Sequence, residues 1–332
     1  MTIFFANQFA IGKNSRGIRA RPLCLRSPVL KFIFRKLVQG ILLVVIVSAA
    51  VFLLLSAAGG DALSGLRENP QVSAETIERL RVYYALDRPV GERYLRWAAD
   101  AARGDLGESI SFRTPVASMV GSRLLETLKL SAVTLLLALG VSLLFSFLII
   151  RTRSRALDRL AEAFVLVFAS TPVIVTSLVV LATVAAASTF ATAGSIIFSA
   201  VALAPPFIAL FLAQTKRGFE EAMRENFVQL ARSKGLSETA VIIRHAARAA
   251  INPLITLLGL SIGALVSGSV IVETVLGRQG IGSLTVAAVR SRDVPLVMGI
   301  VLIVSIAVWL GNTIGEFLQM ANDRRLFDAE RN

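Results

Sequence analysis

The sequence predicts an all-α polytopic membrane protein with six transmembrane helices, and three observations carry that prediction. Of 332 residues, 55% are hydrophobic, and the mean hydropathy is +0.70. Uncharged apolar runs of roughly 20 residues, the length that crosses a bilayer as a helix, recur along the chain. The formal charge of +13 collects in the segments flanking those runs, as positive-inside anchoring requires. Aromatic residues are not interleaved with the basic ones, so the charge implies a lipid bilayer as partner and no nucleic acid. Cys24 is the only cysteine and His245 the only histidine, which excludes a disulfide framework, a zinc cluster and a Ser-His triad away from His245. No metal site and no catalytic set is expected.

Residues 1–36, with Lys13, Arg16, Arg19, Arg21, Arg26, Lys31, Arg35 and Lys36, read as a largely disordered, basic cytoplasmic arm. Residues 37–58 form the first transmembrane helix; the run exceeds the roughly 7–15 residues of a signal-peptide core. Residues 59–126 form an external subdomain with helical composition from Ala74 to Ala85 and from Arg93 to Ala102. Its Tyr83, Tyr84, Tyr94 and Trp97 fit either the headgroup level or a small packed core. The transmembrane core, residues 127–320, opens with a second span from Thr127 to Ile150, followed by an inside loop bearing Arg151, Arg153, Arg155 and Arg159. The third span, Phe164 to Ala187, contains Ser170, Thr171 and Pro172, and a mid-span proline frees a carbonyl and kinks the helix. The fourth, Gly194 to Ala213, is expected to be broken by Pro205 and Pro206.

The fifth span, Leu254 to Val275, carries Gly259, Gly263 and Ser267 at four-residue intervals, beside Ser261, Ala264 and Gly268. That low-volume face suits either a translocation path or close packing against a second subunit. Val275 to Asp293 reads as a glycine-rich outer loop. The sixth span runs from Val294 to Leu318, with Asn312 and Glu316 one turn apart near its inner end; they suggest a site, and snorkelling to the interface is the cheaper explanation. Residues 321–332 form a cytoplasmic tail, so both termini are expected in the cytoplasm.

Between the fourth and fifth spans lies a polar cytoplasmic loop, residues 215–252. Within it, Phe227 to Lys234 favours helix, and Gly235 stands where a left-handed residue would end that helix, with Leu236 packing back on Leu230 or Ala231. Ser237 can cap a second helix, Glu238 faces its positive end, and Leu236 and Val241 are spaced as a hydrophobic staple. Arg232, Lys234, Arg244 and Arg248 give a basic surface; Leu230, Val241, Ile242 and Ile243 offer apolar contacts. An ordinary inside loop would look much the same on these residues alone.

Several segments together resemble one family over nearly the whole chain from Phe32. Gln229, Leu230, Ala231, Arg232, Ser233, Lys234 and Gly235 resemble the EAA coupling loop of binding-protein-dependent ABC importer permeases, and His245, Ala246, Arg248 and Ala250 continue that family's run. Leu86-Asp87-Arg88-Pro89, Tyr94 with Trp97, Gly104-Asp105-Leu106-Gly107 with Ser109, Glu273-Thr274-Val275, Gly280-Ile281-Gly282 and Arg292-Asp293 with Pro295 resemble signatures of its dipeptide, oligopeptide and nickel branch. Departures fall at Gln279, at Gly60-Asp61-Ala62 and at Asp323-Arg324-Arg325, where the branch has Pro, G-D-P and D-P-R.

The resemblance implies a type I importer permease: a transport subunit, not an enzyme, in the inner membrane, forming half of a pore for peptides. It also implies a second permease subunit, two ATP-binding cassette subunits and an extracytoplasmic solute-binding protein. Gln229, Leu230, Ala231, Arg232, Lys234, Gly235, Leu236, Val241, Ile242, Arg244 and His245 would form the ATPase-coupling element. Ser170, Pro172, Gly259, Gly263, Ser267 and Gly268 would line the pore or pack subunits. No phosphate-binding G-x-x-x-x-G-K-[ST] loop occurs, so ATP and Mg would sit on a partner chain. A nickel or other small-solute importer of the same branch is the alternative. A secondary transporter would need ionisable groups within its spans, where this chain has almost none.

Overall fold

A computed structural model describes residues 26–57, 73–83, 88–187 and 192–322. The expectations for the N-terminal arm before Arg26, for Gly60-Asp61-Ala62, Tyr84, Leu86-Asp87 and the tail from Asp323 lie outside the described residues. Among those described, the chain is helical with no strand. In order the elements are α1 (Arg26–Ala57), α2 (Ala74–Tyr83), α3 (Val90–Ala102), α4 (Val116–Thr152), α5 (Arg155–Ser170), α6 (Val173–Ala186), α7 (Ile196–Arg224), α8 (Asn226–Ser233), α9 (Glu238–Val241), a π-helical turn (Ile242–Ala246), α10 (Ala247–Val275), α11 (Ile281–Arg290) and α12 (Val294–Asn322).

Five helices contain stretches long and apolar enough to cross a membrane: Phe32–Ala57, Val116–Thr152, Ile196–Arg224, Leu257–Val275 and Val294–Phe317. The sixth expected span is the α5–α6 pair, which bends by 105°. The break falls where the sequence placed a kink. Thr171 is extended (φ −87°, ψ 120°), as a residue before proline prefers, and Pro172 (φ −61°, ψ 143°) starts α6 afresh. The Thr171 hydroxyl donates to the Val167 carbonyl at 2.7 Å, covering one acceptor that the break exposes.

Other boundaries also move. α1 begins at Arg26 rather than 37, and α4 begins at Val116, so the last part of the expected external subdomain belongs to the second membrane helix. α7 is not broken at Pro205 and Pro206; it runs unbroken to Arg224. One of the two freed carbonyls is met from another helix, by a hydroxyl that also lies 2.8 Å from the Val173 carbonyl of its own helix. Pro206 has no N–H for the Ala202 carbonyl four residues back, and Thr176 Oγ1 of α6 donates to that carbonyl at 2.7 Å. A Thr176→Val variant keeps the shape and removes the donor. It is expected to cost about 1 kcal/mol, read as a lower midpoint in thermal unfolding of the detergent-solubilised protein.

α7 is the central helix, packed against α4, α10, α5 and α6. Its buried face holds Ala202, Leu203, Phe207 and Phe211 against Leu130 and Ala138 of α4 and Leu254, Leu265 and Val272 of α10. Further along α7, the buried hydroxyls of Ser146 (α4) and Thr215 (α7) hydrogen-bond at 2.7 Å, and Thr215 Oγ1 also lies 2.7 Å from the Phe211 carbonyl.

The α10–α12 crossing explains the small residues of the fifth span. A Cβ on Gly259 would lie 2.4 Å from the Gly315 Cα, and one on Gly311 would lie 2.5 Å from Ile262. Gly259 therefore packs against the sixth span of its own chain, not against a second subunit. α1 closes over α12: a Cβ on Gly40 would lie 2.4 Å from the Trp309 ring, and Trp309 Nε1 donates to the Lys36 carbonyl at 3.1 Å. Glu316 forms an ion pair with Lys36, so the charge in the sixth span is matched by the first. α3 lies against α1, where the Tyr94 hydroxyl hydrogen-bonds Ser48 at 3.0 Å and its ring meets Phe52 and Trp97 at 5.6 and 6.0 Å. These aromatics pack on the first span.

Candidate functional site

Two regions gather the functional residues, one at each end of α10. The first is the turn joining α8 to α9. Gly235 has φ +78°, its N–H donates to the Arg232 carbonyl at 2.9 Å, and the Leu236 N–H donates to the Ala231 carbonyl at 3.4 Å. That pairing is a Schellman ending. Ser237 caps α9 by accepting from the Ala240 N–H at 3.4 Å, as its sequence position indicates. The apolar residues sort differently from the expected packing. Leu236 and Leu230 are 40% and 57% exposed, beside Phe227 and Ile243 at 41% and 60%.

Val241 and Ile242, expected to contact a partner, are fully buried. Val241 closes on Val228 and Ala231, while Ile242 packs with Phe219, Ala222 and Ala246. They hold the turn against α7. Arg232 is engaged within the chain: its guanidinium donates to Glu238 at 2.7 Å, and Arg153 reaches the same carboxylate at 3.3 Å. Arg151 Nε adds a bond to Thr239 at 3.0 Å. The turn is thus fastened to the α4–α5 loop. Gln229, Lys234, Arg244 and Arg248 remain exposed, and His245 is half-buried in the π-helical turn.

Hydrogen bonding from Arg232, reinforced by the charges of Arg232 and Arg153, holds the Glu238 carboxyl below the usual carboxylate range. A depressed pKa means the clasp stabilises the folded turn above the unfolded carboxyl pKa and is lost as pH falls through the folded value. Acid titration of a fluorophore on the turn is expected to show one transition below the ordinary carboxylate range, and Glu238→Gln is expected to remove it.

From α9 the backbone passes through the π-helical turn into α10 without a break, so the boundary expected near Pro253 does not exist. α10 alone spans roughly 43 Å at 1.5 Å per residue. At its far end is the second region. Glu273 is fully buried; it accepts from Thr127 Oγ1 at 2.6 Å, from the Gly282 N–H at 2.7 Å and from the Ser283 N–H at 3.2 Å. A carboxylate thus sits on the N-terminus of α11, where free amides and the helix dipole favour it. The glycines around it follow from this contact. A Cβ on Gly280 would lie 2.3 Å from the Glu273 carboxyl carbon, and one on Gly282 would lie 2.3 Å from the Val270 Cα.

A second buried carboxylate, Asp293, ties together two other motifs. It caps α12 through the Leu296 N–H at 3.1 Å and accepts from Ser109 Oγ at 2.5 Å and the Ser111 N–H at 2.9 Å. The expected outer loop is therefore a helix held by two carboxylates. Of the other expected pore or packing residues, Ser170 and Pro172 are exposed at the α5–α6 bend. A Cβ on Gly263 would lie 3.4 Å from Val308, and one on Gly268 would lie 3.0 Å from Leu203. Ser267 is exposed, in line with Ala264, Ile271 and Thr274 on one open stripe of α10.

Apolar helices long enough to cross a membrane thus carry a basic helix–turn–helix at one end of α10 and a carboxylate-braced short helix at the other. The chain belongs to the family described as binding-protein-dependent transport system inner membrane component, which matches residues 138–328. Members of this family are multi-pass inner-membrane proteins that work with an ATPase and a binding protein. Among curated relatives, the glutathione transport system permease protein GsiC of Escherichia coli (strain K12) is 29% identical over 299 residues, covering 88% of this chain and 97% of that protein. The probable peptide ABC transporter permease protein y4tP of Sinorhizobium fredii is 28% identical over 288 residues, covering 82% and 92%. A candidate peptide permease of Brucella suis biovar 1 is 27% identical over 316 residues, covering 90% and 99%.

Proposed function

We infer that this chain is one half of the pore of a peptide importer, paired with a second permease subunit, driven by two ATPase subunits and supplied by an extracytoplasmic solute-binding protein. ATP and Mg are held by the ATPases. Both termini and the turn at Gly235 face the cytoplasm. The observation that carries the reading is the turn itself: Phe227, Leu230, Leu236 and Ile243 are exposed on an element whose base is locked by Val241, Ile242 and the Arg232–Glu238–Arg153 clasp. An apolar patch on a rigid, basic-rimmed support suits a groove on an acidic-rimmed partner.

The continuous run from α9 through the π-helical turn to α10 supplies the lever. Displacement of the turn by ATPase closure would move α10 and, through Glu273, the α11 helix at the outer end, switching access between two states. The peptide assignment rests on the relatives described as peptide and glutathione permeases. Uptake of labelled peptides by proteoliposomes holding the full complex and its binding protein tests it: ATP-dependent accumulation is expected, and its absence across a peptide library with a functional complex would refute it.

A further inference from the structure

We propose that the outer end of the chain carries a binding subsite for the carboxylate of the entering substrate, built from Arg123 and Arg278; naming a peptide terminus as that carboxylate rests on the peptide reading above. A cleft of about 660 Å³ opens between the outer ends of α4, α7 and α10, lined by Ser122, Arg123, Glu126, Gly194, Arg278 and Gln279. Its wall is strongly charged although the spans below it are not.

Arg278 is the anchor. Its side chain is only 10% exposed, and Nη2 pairs with Glu126 at 2.9 Å while Nη1 donates to the Gly194 carbonyl at 3.2 Å. Its Nε is buried without a hydrogen-bond partner, an unmet donor on a cation that is costly to leave unsatisfied. Arg123 also lines the cleft; its guanidinium donates to the neutral Gln279 side chain, and its charge acts on Glu126. Lys129 shares Glu126 at 2.8 Å. Three cations therefore surround one carboxylate, and an anion entering the cleft restores the balance. A guanidinium with a spare donor recognises a carboxylate in its plane. When that carboxylate takes Arg278, the displaced Glu126 is left to accept the ammonium at the other end of a zwitterionic peptide.

The test measures equilibrium binding to the purified complete complex, trapped by vanadate, in the absence of the binding protein. The probes are labelled dialanine, dialanine amide and citrate. Wild type is expected to bind dialanine at least about tenfold more tightly than the amide, the worth of one charge-assisted contact. Arg123→Gln and Arg278→Gln are each expected to erase that preference by weakening the binding of dialanine. Arg123, half-buried and without the ion pair that ties Arg278, keeps the test valid if the Arg278 variant fails to assemble. Equal weakening of both dialanine probes, or weakened docking of the binding protein with the preference intact, would overturn the subsite. Binding of citrate that depends on both arginines, without binding of dialanine, would refute the peptide reading and support the anion site. Binding of neither anion would overturn the site.

Discussion

Gly235→Val is expected to leave the complex assembled and to reduce peptide uptake and binding-protein-stimulated ATP hydrolysis about 5- to 30-fold. Gly235 adopts φ +78°, and a Cβ built there meets no atom within 4 Å. The defect is thus conformational rather than steric. An L residue in this region costs about 1–2 kcal/mol, and a β-branched one is a genuine outlier; that energy corresponds to the stated loss. The strain falls on the two hydrogen bonds, Gly235 to Arg232 and Leu236 to Ala231, that aim the exposed Leu230 and Leu236 outward. Gly235→Asn, which tolerates positive φ, is expected to retain most of the activity. Normal uptake by an assembled Gly235→Val complex would show that the turn does not transmit force.

Glu273→Ala is expected to destabilise the outer region by about 3–5 kcal/mol, the combined cost of a buried cavity and of orphaned donors. It strips the acceptor from Thr127, Gly282 and Ser283 together. Gly282→Ala attacks the same joint from the other side, because the added methyl would meet the Val270 backbone at 2.3 Å, a contact that no side-chain rotation relieves. Both variants are expected to lower the yield of folded protein and the thermal midpoint of the purified complex. A double variant would lose less than the sum, since both changes break one contact. Full additivity would mean that Glu273 and Gly282 act through separate structures.

The spans were legible because membrane burial writes itself into long apolar runs, and the inner turn was legible because Gly235, Ser237 and Glu238 are local signals read within a few residues. What the sequence could not show were pairings between distant positions. Pro205 and Pro206 looked like a break, yet Thr176 on another helix supplies one of the two missing donors. The glycine stripe at Gly259 and Gly263 fitted a second subunit, but its partners are Gly315 and Val308 of the same chain. Val241 and Ile242 were read as outward contacts because a polar loop gives no sign of which face meets α7. The α11 helix was missed for a related reason: its N-terminus begins with Gly280 rather than a capping side chain, and the acceptor comes from Glu273 on the preceding span. The spacing of Glu273 to Gly282 was the available signal, and it was visible only as a family motif.

The most direct test is crosslinking of the turn to the motor. With Cys24 replaced by serine, a single cysteine is introduced at Ser233 or Leu236, both exposed at the Gly235 turn, or at Ser118, exposed near the start of α4. Assembled complexes are then treated with a short bismaleimide. Adducts between this chain and an ATPase subunit are expected from Ser233→Cys and Leu236→Cys, and none from Ser118→Cys. Assembled complexes in which neither turn cysteine ever reaches the ATPase would contradict the coupling role of Gly235 and its neighbours.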